Sequence, residues 1–123
     1  MTTGTITINT THGDRVVPGS EPVPGLLVHE SFNAPGWSIT HRLSGLRLVR
    51  ELPNESLALA VAQLMGSSCP LPWTRPTTDL LADLEVYAQA GRHALSETGA
   101  GALGAKLSGQ DDDGVRHRYR PRG

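Results

Sequence analysis

Hydrophobic and polar residues alternate along the first half of the chain and recur every three or four positions along the second. Alternation suits a strand, whose side chains point to opposite faces in turn; the longer period suits a helix. Thr and Ile alternate over residues 4–10, and His12-Gly13 turns the chain back into Arg15-Val16-Val17, a first hairpin. Residues 18–25 carry Pro18, Gly19, Pro22, Pro24 and Gly25 and read as an exposed loop. Leu26–Glu30 is the next candidate strand, and Asn33-Ala34-Pro35-Gly36 breaks it.

The strongest pattern follows. Residues 37–43 and 46–52 are two alternating runs flanking Ser44-Gly45, which fits a two-residue hairpin turn. Pairing across that turn sets Leu43 against Leu46, His41 against Leu48, Ile39 against Arg50 and Trp37 against Leu52. One face then carries Trp37, Ile39, His41, Leu43, Leu46, Leu48, Arg50 and Leu52. The other carries Ser38, Thr40, Arg42, Arg47, Val49 and Glu51. The pattern predicts one buried face and one wet face.

Asn54 is a good N-cap after Pro53, and Glu55 suits the positive end of a helix. Leu57, Ala60, Val61, Leu64 and Met65 recur at helical spacing, and Gly66 is the expected stop. Residues 67–76 form a linker with Pro70, Pro72, Trp73 and Pro76. Thr77 or Thr78 caps a second helix with the stripe Leu80, Leu84, Tyr87, Gly91 and Ala94-Leu95; Gly91 either permits close packing or breaks it. The expected fold is α+β: a small antiparallel β-sheet of hairpins followed by two α-helices packed on one face. Residues 1–100 form the single domain. Residues 101–123, Gly-rich and then charged, form a flexible tail.

Composition narrows the function classes. The chain has 123 residues, enough for one modest core, and a net charge of -1, which gives no global pull towards nucleic acid or anionic lipid. Ten of the eleven basic residues are Arg, and Lys106 is the lone Lys. Codon bias in a high-GC bacterium or its phage accounts for that imbalance. Cys69 stands alone, so neither an intrachain disulfide nor a thiolate metal cluster is expected. With no signal-like start and no apolar run of about 18 residues, the expected location is the cytoplasm (the host's, or the virion, for a phage protein).

No metal or cofactor motif occurs, and no catalytic set nominates itself. His41 falls on the expected apolar face. It is either an acid-base group at a cleft or a buried ring satisfied by its neighbours. Cys69 reads as an inert linker thiol; as a nucleophile it would need His41 or His29 as base. Arg42 and Arg47 oppose each other on the expected wet face. They either contact an anionic partner or splay into solvent. Trp73 is either a partner hot spot or a cap on the core. Arg118 and Arg120 follow the acidic Asp111-Asp112-Asp113 and either dock a partner or keep the tail soluble.

Two resemblances add to this. The stretch Trp37-Ser-Ile-Thr-His41-Arg-Leu-Ser-Gly45, the Ala-rich helix over 54–66 and the later Trp resemble uncharacterised small proteins of actinobacteria and their phages, over about half the chain. The hairpin-then-helix order, with a leading Trp and a Ser-Gly turn, is similar in outline to the arm-site DNA-binding domains of phage tyrosine recombinases. That likeness implies Arg42, Arg47 and Thr40 at DNA, although the chain lacks Lys-rich strands and is net acidic. The expected function is a non-enzymatic binding or assembly protein, encoded by a phage or mobile element and acting on a protein partner. The alternatives are a small DNA-binding regulator and a small enzyme using His41.

Overall fold

The Thr/Ile run and the residues after it build a continuous antiparallel meander in the computed structural model, which describes residues 4–10, 13–31 and 36–107. Six strands lie in chain order across one sheet: β1 (Gly4–Thr10), β2 (Gly13–Val23), β3 (Leu26–Glu30), β4 (Trp37–His41), β5 (Arg47–Leu52) and β6 (Lys106–Leu107). Between β5 and β6 come α1 (Glu55–Ser68), α2 (Thr77–Ala82), α3 (Leu84–Thr98) and a 3-10 turn at Gly101–Leu103. The α+β fold and the antiparallel sheet with helices on one face match the sequence expectation.

Residues 18–23, expected in a loop, are strand. β2 runs through Pro18 and Pro22; Pro22 falls where the β2–β3 register slips between Ser20 and Val23, a bulge that needs no N–H there. The turn comes later, at Pro24-Gly25, with Gly25 at φ +93°. The Glu21 carboxylate accepts the Gly25 N–H at 2.8 Å and closes that turn.

The β4–β5 hairpin also departs from expectation. Its turn holds four residues, 42–45: the His41 N–H donates to Leu46 O and the Gly45 N–H to His41 O, both at 2.8 Å. Ser44 makes the wider turn, because its hydroxyl accepts the Leu46 N–H at 3.0 Å. Trp37 still faces Leu52, but Ile39 faces Val49 and Thr40 faces Arg47. Two extra residues are therefore accommodated on β5, and Glu51 takes φ +61° at one of the irregularities. The consequence is a changed inside. Val49, expected to be wet, is fully buried beside Ile39, and Arg50 leans towards the Glu51 carboxylate, 3.8 Å from Nε to Oε2. Glu51→Gly should be more stable than Glu51→Val by about 1–2 kcal/mol, since a left-handed backbone penalises a β-branched side chain most. Thermal unfolding of the two variants checks the order.

The core lies between sheet and helices. Leu26, Val28, Ile39, Val49 and Leu52 meet Ala58, Val61, Ala62 and Met65 of α1 and Tyr87, Ala90 and Ala94 of α3. The opposite sheet face is not wet at its centre: Leu27, His29, Ser38 and Thr40 are buried too. Asn54 caps α1 as expected, Oδ1 accepting the Leu57 N–H at 2.9 Å. Gly66 does not stop α1, which continues to Ser68; a Cβ there would stand 2.7 Å from a Val23 methyl, so its role is close approach. The second helix breaks at Asp83, not at Gly91, and re-phasing there leaves Leu84 exposed. Gly91 admits the Leu107 side chain, which would meet a Cβ at 2.6 Å. The ordered domain therefore extends past residue 100: Ala100, Ala105 and Leu107 are buried and β6 joins the sheet.

Candidate functional site

His41 ends β4 at the point where three elements converge, and it is 0% exposed. Its Nε2–H donates to the carbonyl of Trp73 at 2.9 Å. Its Nδ1 accepts from the Ser44 hydroxyl at 2.7 Å and from the Ser44 N–H at 3.2 Å. Both nitrogens are occupied, and these partners select the Nε2–H tautomer. The ring joins the 42–45 turn to the linker. Burial is the main cause holding its pKa below 6.5; the Trp73 carbonyl opposes this and the Arg42 charge adds to it.

Trp73, a candidate partner residue, is instead 3% exposed. Its Nε1–H donates to Met65 O at 3.2 Å, and its ring meets Tyr87 edge-on at 4.6 Å. Tyr87 in turn donates its hydroxyl to Pro72 O at 2.6 Å. The linker is thus a strap across sheet and helices, with its tryptophan spent inside. Cys69 caps α1 through its N–H to Met65 O at 3.2 Å and packs against the core.

The two arginines expected side by side are apart. Arg42 lies in the turn, its Nε 3.1 Å from the Glu21 carboxylate, and its N–H donates to Gly25 O. Arg47 starts β5 opposite Thr40, and its charge reaches His29. With the widened turn, Arg42 and Arg47 no longer face each other across the hairpin. Arg118 and Arg120 lie outside the described residues.

A buried polar group went unread in the sequence. His29 Nδ1–H donates to Glu30 O at 2.8 Å, and Nε2 accepts from the Thr40 hydroxyl at 2.7 Å. Ser31 and Ser38 share a 2.7 Å hydroxyl bond nearby. The available signal was the unbroken Leu26-Leu27-Val28 run, which marks a strand buried on both faces. Burial lowers the His29 pKa as the largest cause; the Glu30 carbonyl raises it and Arg47 lowers it further.

Both imidazoles are therefore held neutral, which makes the fold acid-sensitive. Their folded pKa values lie below the unfolded 6.5. Above pH 6.5 the contribution is complete. As pH falls below 6.5, the unfolded chain takes up protons that the folded chain refuses, and stability drops by up to about 1.4 kcal/mol per pH unit for each histidine. Urea midpoints at pH 7.5 and 6.5 should lie close together and the midpoint at pH 5.5 should be clearly lower, and His29→Asn should flatten that drop.

Another feature is an open groove of about 530 Å³ between the C-terminal half of α3, the 3-10 turn and β6. Leu95, Ala105 and Leu107 give it an apolar floor, and Arg92 and Lys106 stand at its rim. Arg92 bonds Glu85, and Lys106 lies 3.9 Å from Glu51; both are solvent-exposed pairs that exchange at little cost. The sequence hides this groove because a two-residue strand after a Gly-rich stretch has no readable period. Among the described residues, no group of three His, Cys, Asp or Glu is placed to hold a metal ion, and no helix is long and apolar enough to cross a membrane. No protein-family model, curated protein or solved structure matches the chain.

Proposed function

We propose that this chain is a small protein-binding module whose partner presents an apolar side chain flanked by carboxylates to the α3–β6 groove. The observation that carries the reading is the groove itself, with its apolar floor and the cations Arg92 and Lys106 at the rim. An apolar contact anchors such a complex, while charge at the rim sets specificity and encounter rate. The internal use of His41 and Trp73 supports a surface role over one built on those two side chains.

A photo-cross-linking residue placed at Ala102, inside the groove, tests it in lysate of the organism that carries the gene. The expected result is one discrete adduct, lost in Arg92→Glu/Lys106→Glu and absent when the cross-linker sits at Leu84, an exposed helix position away from the groove lining. Equal adducts from both positions, or none, would remove the reading. A salt-sensitive shift of duplex DNA by the same protein would replace it with the DNA-binding alternative.

A further inference from the structure

We infer that the free edge of β1 pairs with β1 of a second copy of this chain, antiparallel about a two-fold axis at Thr7. Among the described residues β1 is the outermost strand and pairs only with β2. The two ends of the sheet are guarded very differently. β6 is two residues long and carries Lys106, a usual protection against edge-to-edge association. β1 is seven residues, Gly-Thr-Ile-Thr-Ile-Asn-Thr, with neither charge nor proline. Neighbouring β2 carries Asp14, Arg15, Pro18 and Pro22, so the lack of charge and proline belongs to the edge strand.

The segment is also nearly palindromic, which selects the occupant. An antiparallel pair centred on Thr7 sets Ile6 opposite Ile8 of the second copy, Thr5 opposite Asn9, and Thr7 opposite its own equivalent. Like residues meet at the centre and no like charges meet anywhere, as a two-fold interface requires. A second observation lies on the same ribbon. Val16, the register partner of Thr7, is 68% exposed, the highest value among the large hydrophobics described. It stands one strand from the proposed axis. Main-chain hydrogen bonds supply the attraction, as in other strand additions.

An interface of one strand pair is small, so the dimer is reversible, with a Kd on the order of micromolar or weaker. Sedimentation equilibrium of the full chain from micromolar to millimolar should show monomer and dimer. Thr7→Lys, which brings two ammonium groups together at the axis, should weaken the dimer at least about tenfold while circular dichroism stays that of the parent. Register is tested separately in a Cys69→Ser background. Thr7→Cys should oxidise to a linked dimer, because residue 7 meets itself, and Thr5→Cys should not, because it meets Asn9. A chain that stays monomeric to millimolar, a dimer indifferent to Thr7→Lys, or equal cross-linking at positions 5 and 7 would each overturn the inference. If Thr7→Lys fails to fold, the two cysteine variants decide.

Discussion

Trp73→Ala is expected to lower the unfolding free energy by about 3–5 kcal/mol, the usual cost of removing a buried Trp ring. The ring lies at the junction of α1, α3 and the 24–25 turn. Its removal ends the contact with Tyr87, takes away one of the two donors to Met65 O, and loosens the strap whose carbonyl holds His41. A chain of this length has roughly 6–18 kcal/mol in hand, so the loss is a large share of the total. Trp73→Phe keeps an aromatic ring but not the indole N–H, and should cost only about 1–2 kcal/mol. Denaturant titration of both variants separates packing from the hydrogen bond. A small effect from the alanine variant would mean the strap is not part of the core.

Gly25→Ala should cost about as much, roughly 3–5 kcal/mol, through two additive causes. A Cβ at residue 25 would stand 2.2 Å from Trp73 O and 2.6 Å from its carbonyl carbon, both backbone atoms that cannot rotate away. The residue also sits at φ +93°, where any L side chain is strained. Because the clash is with the Trp73 backbone and Trp73→Ala loosens the same strap, the two substitutions act on one element. The double variant should therefore lose less than the sum of the single losses.

Much of the architecture was legible because it rests on local rules. Asn54 announced α1 through its side-chain oxygen, and the alternation over 4–10 and 37–41 announced strands. Most of the misreadings share a cause, contacts between separate elements that overrode local signals; the Ser44-Gly45 turn is the exception, set by local side-chain bonds. Pro18 and Pro22 read as loop, yet the bulge against β3 absorbs Pro22. Gly66 and Gly91 read as breakers, yet each makes room for a side chain from a distant strand, Val23 and Leu107. Ser44-Gly45 read as a two-residue turn, yet the Ser44 side chain and His41 together hold a four-residue one. The wider turn took Arg42 and Arg47 out of register with each other, and the irregularity between Ile39 and Thr40 turned Val49 inward. Of the candidate site, the satisfied reading of His41 was available from sequence. The partner carbonyl, 32 residues away, was not.

Long-range ¹⁵N–¹H correlation spectra of the two buried imidazoles bear most directly on whether histidine here serves structure. At neutral pH, His41 should appear as a slowly exchanging Nε2–H tautomer and His29 as the opposite, Nδ1–H, each titrating below the ordinary 6.5 because of burial. A His41 ring that exchanges freely and titrates near 6.5 would contradict the account, since its two nitrogens would then be available for chemistry.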